Sequence, residues 1–498
     1  MLKKQVARAV TPNNGTVVVF NLLPKAIKKV LNVVVFTREA QVSLESRTGE
    51  KLPQSMINQT YLSGGKQVKV TADGEQEVEL PGYYRSEIAV EVTFAGFGYQ
   101  QLQLVECPEM DCLLDTKTTE IENEFYRVSL TAGKLNLVRK ADGQTKVDWL
   151  KFENTTDGGD SYDYSPSENG QLTINDSFEF VEAKQADMLS QLKVVTTVAA
   201  APDLAHATQL TEKITIETLI ELRHGSDIIQ VTHTVLNEVK DHRVRVVFAG
   251  ENADGFSFGD QGYSLQQRAI NNPHLANWKD EGFAEAPQPI FPLERFVSVN
   301  EVQGNVTLLT KGLKEYEATA ESLALTLYRS VGLLGRDNLA WRPGRASGIN
   351  NKVVETPDAQ MQGELVFDYG YRWREGAIDS EESYRAAERF ATSQISYQVQ
   401  TLNSFEERVD RFELPQPANM KELPKTQNLL TIQDNLFVTA FKQAEEGKQA
   451  ILRVFNPTLQ PVAIQTPLRN QQLVTLAEKQ LNQTFVELKS KDFASICV

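Results

Sequence analysis

The chain is 498 residues long, 41% hydrophobic and 23% charged, with a formal net charge of −15. That length exceeds what one hydrophobic core organises, so roughly three domains are expected. The acidic balance argues against nucleic acid and anionic membrane surfaces, whose binders gather basic patches, and fits a soluble protein with a neutral ligand.

Residues 1–13 are polar and end near Pro12, which reads as a frayed start or the tail of an upstream element. Thr16 to Phe20 then reads as a strand closed by Asn21 and Pro24, and Asn32 to Phe36 as a second. Ile88, Val90, Val92 and Phe94 alternate with Ala89, Glu91 and Thr93, the period of a half-buried strand. Turns at Gly64-Gly65, Asp73-Gly74 and Pro81-Gly82 punctuate the region. Short strands at this spacing predict a small immunoglobulin-like β-sandwich over 1–115, ending near Cys107-Pro108.

From 116 to 400 strand signals recur at Tyr126 to Leu130, Leu135 to Val138, Ile214 to Leu222, Ile228 to Val235, Val244 to Phe248, Leu323 to Leu327 and Leu365 to Tyr369. Strands do not alternate with helices, so a parallel α/β sheet is not expected and a large β-sandwich is. One helix stands out, with Asp379 as cap, Glu382 as capping-box partner, and Tyr384, Ala387 and Ala391 on one face. It reads as an ornament on the sandwich or a boundary marker. The last region, 401–498, is a further β-domain behind a polar lead-in with Pro415, Pro417 and Pro424. Its strands fall near Leu429 to Ile432, Ala450 to Phe455 and Thr484 to Leu488. Val454-Phe455-Asn456-Pro457 echoes Val19-Phe20-Asn21, which suggests one strand-end solution used in two sandwiches.

Cys107, Cys112 and Cys497 are a sparse, odd set that suits a reducing, cytoplasmic compartment. The five histidines show no H-E-x-x-H or H-x-H arrangement. No apolar run reaches the ~18 residues of a membrane span, and no apolar stretch follows Lys3 and Lys4 as in a signal peptide. Phosphate loops, dinucleotide fingerprints and the G-x-S-x-G elbow are all lacking.

The densest stretch is Asp157-Gly158-Gly159-Asp160-Ser161-Tyr162-Asp163-Tyr164-Ser165-Pro166. Gly, Asp and Ser favour turns, and tyrosines offer apolar faces with hydroxyl tips suited to a sugar ring. The plain reading is a surface turn or a calcium loop. Asp160 and Asp163 are its tightest acid pair, but a glycosidase needs two carboxylates about 5–10 Å apart across the scissile bond. Neighbouring loop acids are usually solvated, so no catalytic pair is assigned. The glycine-rich run 332–348 carries Arg336, Arg342 and Arg345, which more commonly tie down backbone and carboxylates than touch a ligand. Trp278 and Trp341 lie in loop-like sequence, where packing is favoured over sugar stacking.

Asp160 to Pro166, Leu323-Ala324-Leu325-Thr326-Leu327-Tyr328-Arg329-Ser330-Val331-Gly332, Arg342-Pro343-Gly344-Arg345-Ala346 and Glu355-Thr356-Pro357-Asp358-Ala359-Gln360 occur in that order, after Asn123-Glu124-Phe125-Tyr126. Together they closely resemble the C-terminal β-domains of bacterial α-mannosidases of glycoside hydrolase family 38, with the mannosylglycerate-hydrolase-like branch nearest. The resemblance implies a large central supersandwich, galactose-mutarotase-like, flanked by smaller immunoglobulin-like sandwiches. It also implies a retaining exo-α-mannosidase whose bound zinc and nucleophilic Asp sit in an N-terminal α/β domain, followed by a helical bundle. Neither region is found in this sequence, so no catalytic or metal residue is assigned, and the chain alone is expected to be inactive. What carries over is the rim of the sugar site: Tyr162 approaching the mannose, Tyr164 and Asp160 supporting it, and Arg329 reaching in. Arg342 and Arg345 match a motif of the bacterial members.

The implied partners are an α-mannoside and the absent catalytic domain, which would dock on an exposed apolar surface. Mannosylglycerate, its phosphorylated form and short α-mannosides all remain open, as does a homo-oligomer. Two rival readings stand beside this one. The first is a free-standing carbohydrate-binding or scaffold protein; the second is a sandwich enzyme with its own carboxylates, as in some mutarotases and lyases.

Overall fold

The structure is a computed structural model that describes residues 2–11, 15–72, 74–344, 353–393, 395–402, 422–464, 472–484 and 487–498. Pro12, Asp73, Arg345, Pro415 and Pro417 lie outside the described residues. Among the described residues the fold is mostly β. Among the described residues no helix is long and apolar enough to cross a membrane.

The central body is a large antiparallel sandwich. Its broad sheet has ten strands, running from Leu265–Ala269 at one edge through Asn252–Asp260, Phe296–Glu301, Gly304–Thr310, Gly363–Arg374, Ile229–Asn237, Glu212–Arg223, Leu189–Ala200 and Glu179–Gln185 to Leu114–Thr116. Facing it is a six-stranded sheet whose central members are Leu150–Thr156, His242–Ala249 and Ser322–Ser330. The strict alternation in Glu212–Arg223 turns Ile214, Ile216, Ile220 and Leu222 inward. They join Trp149, Phe152, Phe248, Tyr369, Tyr371 and Trp373 in one continuous core. This core positions the loop 157–166, because that loop leaves the end of the inner strand Leu150–Thr156.

The first sandwich packs a sheet built on Thr16–Asn21 and Gly98–Glu106 against the three strands Ile27–Thr37, Tyr83–Phe94 and Gln54–Leu62. Two features depart from the sequence reading. Leu2–Val10 is a helix, with Ala7 and Val10 buried against Val18, Tyr99 and Val399, because its alanines and valines fall on one helical face. Strand 83–94 buries Ala89 and Glu91 as well as its expected face. Ala89 packs on Met188 and Leu189 of the large sandwich, so this strand is covered on both sides.

Ile395–Val399 falls inside the range expected for the large sandwich, yet it pairs antiparallel with Thr16–Asn21 of the first. Thr426–Asn428, rather than Leu429 to Ile432, is the next strand, and it also joins the first sandwich, along Gly98–Glu106. The chain thus returns to its opening sandwich before entering the last one, a five-stranded sheet centred on Ala450–Phe455 and Phe493–Cys497.

Helix Ser380–Ala391 is more than an ornament. Asp379 caps it, accepting from the amides of Glu381 at 2.9 Å and Glu382 at 3.2 Å. Glu382 does not close a capping box; it turns to Arg372 and Arg385, at 2.7 and 2.9 Å. Tyr384, Ala387 and Phe390 fill a core shared with Phe296 and Leu309 of the large sandwich and Phe437 and Phe455 of the last one. The predicted strand-end echo is present in detail. Asn21 donates to the carbonyl of Lys25 at 2.9 Å and Asn456 to that of Gln460 at 2.7 Å. Each also accepts from the amide two residues on, Leu23 at 2.9 Å and Thr458 at 3.0 Å.

Candidate functional site

The loop 157–166 is closed at its base by a bridge between Asp157 and Pro166. Gly158 donates to the carbonyl of Ser165 at 2.9 Å, and Asp160 to that of Asp163 at 3.0 Å. Asp157 is fully buried, and its Oδ1 accepts from the amide of Gly159 at 2.8 Å. A side chain at Gly159 could not be housed, since a Cβ there would lie 2.0 Å from the carbonyl oxygen of Asp163. Glycine is required at this position because the backbone of the loop folds onto itself.

Asp160 is also fully buried. One oxygen accepts from the amides of Tyr162 and Asp163, both at 3.0 Å, and the other from the amide of Arg336 at 2.7 Å. The Arg342 guanidinium bridges Asp160 and Asp163. Burial pushes the Asp160 carboxyl up, but the Arg336 and Asp163 amides, Arg342 and the Tyr162 amide outweigh it and hold it below the usual carboxylate range. At Asp157 the balance reverses. Burial there raises the carboxyl above its ordinary value against the pull of Arg329.

Arg329 stands on the strand Ser322–Ser330 and reaches under the loop. Its Nε donates to Asp157 Oδ2 at 2.7 Å, and its Nη2 to the carbonyls of Asp160 and Asp163 at 2.9 and 2.8 Å. The second long loop closes over the first. Ser161 donates its amide to the carbonyl of Leu333 at 3.2 Å, Ala340 donates to the Ser165 hydroxyl at 3.1 Å, and Arg336 Nε to the carbonyl of Gly159 at 3.3 Å. Arg336 and Arg342 therefore tie down backbone and carboxylates, as their composition suggested.

The four residues singled out for substrate contact divide sharply. Tyr162 is 56% exposed at the loop tip. Tyr164 is buried, with the Arg243 guanidinium 3.6 Å from its ring centre and Trp341 edge-on at 5.7 Å. Asp160 is inside the loop rather than solvated, and Arg329 is engaged beneath it. The structure thus brings all four together, but only Tyr162 projects outward. Trp341 packs on Tyr164, and Trp278 is buried. Asp157 and Arg243 were not singled out by sequence. Asp157 opens the motif and carried a signal in its Asp-Gly-Gly context, whereas Arg243 sits on a strand with no motif around it. Among the described residues no group of three or more His, Cys, Asp or Glu side chains could hold a metal ion, so these residues do not fit a zinc site.

Fold and site define a multi-sandwich β protein that presents one aromatic side chain on an arginine-clasped loop. Residues 121–333 match the family model of the glycosyl hydrolases family 38 C-terminal domain. The matched stretch includes the clasped loop and Arg329. A curated relative from Halalkalibacterium halodurans, named "Putative mannosylglycerate hydrolase", is 25% identical over 406 residues, covering 75% of this chain and 41% of that protein. An alpha-mannosidase from Enterococcus faecalis V583 superposes with a TM-score of 0.76 at 20% identity, over 100% of this chain and 57% of that one. A glycosyl hydrolase family 38 protein from Enterococcus faecalis does so with a TM-score of 0.71 at 20% identity, over 100% and 59%. The chain spans about two-fifths of the length of the curated relative and under three-fifths of the two solved chains.

Proposed function

We propose that this chain serves a soluble, cytoplasmic family 38 retaining exo-α-mannosidase by bracing its catalytic domain and completing its sugar site. The substrate is an α-mannoside, of the size of mannosylglycerate or a short oligosaccharide. One observation carries the reading: the loop 157–166 ties its carboxylates to arginines and turns its Tyr162 outward. An exposed tyrosine can cover a sugar C–H face and hydrogen-bond a hydroxyl. Carboxylates locked to a guanidinium are not placed as acid and nucleophile on either side of a glycosidic bond. Bond cleavage, with its zinc and nucleophile, is accordingly assigned to a separate catalytic domain. Tyr162 contacts the sugar, and Arg329, Tyr164 and Asp160 position it. The segment after the loop exposes Leu172, Ile174, Phe180 and Val181, which supports a docking face beside the site.

The test is hydrolysis of a chromogenic α-mannoside with zinc present, by this chain alone and by this chain joined to the segment encoded upstream of it. Only the joined protein is expected to cleave, and Tyr162→Phe in it should raise KM. Cleavage by the chain alone would overturn the reading. Glycan binding by the chain alone, with no cleavage by either protein, would favour a carbohydrate-binding role without chemistry.

A further inference from the structure

The first and the large sandwich meet at a cleft of about 380 Å³, built from four segments. These are the strand Ile27–Thr37, the turn after Glu212–Arg223, Lys311 just beyond Gly304–Thr310, and the last turn of helix Ser380–Ala391. In a chain of net charge −15, this cleft gathers Lys28, Lys29, Arg223, His224, Lys311 and Arg389.

The negative charge around it is largely engaged. Glu91 pairs with Lys28 at 2.7 Å, Glu124 pairs with His224, and Glu221 meets Arg223 at 2.6 Å. Asp227 pairs with Arg372 at 2.5 Å, and Asp368 accepts from the Thr232 hydroxyl at 2.6 Å. Glu382 is spread over Arg372, Arg385 and Arg389, at 2.7, 2.9 and 2.9 Å. Among the described residues neither Lys29 nor Lys311 makes a salt bridge. Lys29 donates to the carbonyl of Arg389 at 2.8 Å, and Lys311 lies over the Phe390 ring at 4.4 Å. Arg389 keeps a buried Nε with no hydrogen-bond partner.

The cations feel one another. Burial, and then the charges of Arg223, Lys311 and Arg389, pull Lys29 down to about 8. Burial lowers Lys311 as well; Asp368 opposes this and Arg223 adds to it. Closing the helix end explains Lys29, but it explains neither Lys311 nor the orphaned Nε. Depressed cations converging on a cleft from separate elements are what a multivalent oxyanion relieves, through charge-assisted hydrogen bonds.

We propose that this cleft is a binding site for a small phosphate-class oxyanion, held by Lys29, Arg223, Lys311 and Arg389 and bridging the two sandwiches. The site stands apart from the loop 157–166 and does not depend on the mannosidase reading.

The experiment is calorimetric titration of the whole chain with inorganic phosphate at constant ionic strength, with chloride as the control ion. Wild type, Lys311→Met, Lys311→Arg and the distant exposed Lys213→Met are compared. Saturable one-site binding is expected in wild type, Lys311→Arg and Lys213→Met, and about tenfold or weaker binding in Lys311→Met. Lys311 makes no salt bridge among the described residues and lies beyond the end of its strand, so its variants should fold, and Lys311→Arg separates lost charge from lost structure. Absence of saturation in wild type, or equal affinity in wild type and Lys311→Met, would overturn the site.

Discussion

Replacing Arg329 by methionine separates bracing the loop from touching the sugar. The guanidinium satisfies Asp157 Oδ2 and the carbonyls of Asp160 and Asp163 at 2.7, 2.9 and 2.8 Å. Methionine fills much of the volume but leaves a fully buried carboxylate without its cation. Breaking such a buried pair from one side costs roughly 3–5 kcal/mol. Protonation of Asp157, which burial already favours, limits the loss, so the lower end is expected. At about 3 kcal/mol the loop should open roughly two orders of magnitude more often. The assay is hydrogen exchange of the 157–166 segment at pH 7. It reads the loop by itself in a protein of several sandwiches, where one global unfolding energy is ill-defined. Asp157→Asn added to Arg329→Met removes the stranded charge. The double variant should therefore be better protected than the sum of the two single losses by about 2 kcal/mol. Unchanged exchange in Arg329→Met, or strictly additive effects, would refute the bracing argument.

Three further outcomes follow from the geometry. Gly159→Ala drives a methyl into the carbonyl of Asp163, and at a cost of about 1–3 kcal/mol it should make the loop cleavable in limited proteolysis while the sandwiches stay resistant; an equally resistant loop would count against the clasp. His233 is fully buried between the Thr218 hydroxyl at 2.9 Å and the Tyr369 hydroxyl at 2.8 Å, and burial pulls its pKa down to about 3. Its folded value lies below the unfolded ~6.5, so its contribution is complete above that pH and is lost as pH falls toward 3. The loss should be about 2 kcal/mol by pH 5. Melting temperatures at pH 7 and 5 should differ less in His233→Gln than in wild type, and an identical difference would sink the assignment. Tyr162→Phe should leave the melting temperature of the chain within error, because an exposed hydroxyl carries little stability; a clear drop would show that Tyr162 is structural.

The sequence was legible where local physics decides. Alternation in Glu212–Arg223, the Asp379 cap and the paired asparagine strand ends each depend on a few adjacent residues, and each appears as read. The same holds for the loop, whose glycines and short acids announce a tight turn, and for Arg336 and Arg342 of the second loop. Other readings failed because distant chain decided them. Leu2–Val10 looked polar because the side chains it buries, Ala7, Ala9 and Val10 among them, are small, and it becomes a helix by packing on Val18, Tyr99 and Val399. Ile395–Val399 reads as a strand in any sandwich, and its partner is set by a register to residues nearly four hundred positions earlier.

By itself, then, the sequence determined an antiparallel multi-sandwich protein, the dense turn at 157–166 and the chemistry of its side chains. The tertiary structure alone decided what each of those side chains faces. Asp160 and Asp163 could have been a solvated pair, yet Arg342, some 180 residues on, pairs with both. Tyr162 and Tyr164 are two residues apart and chemically identical, but one is exposed and the other lies under Arg243 and Trp341. The cationic cleft draws on four segments that share no motif. Composition and spacing act within a few residues, whereas burial and charge pairing arise only where the folded backbone brings distant segments within a few ångströms.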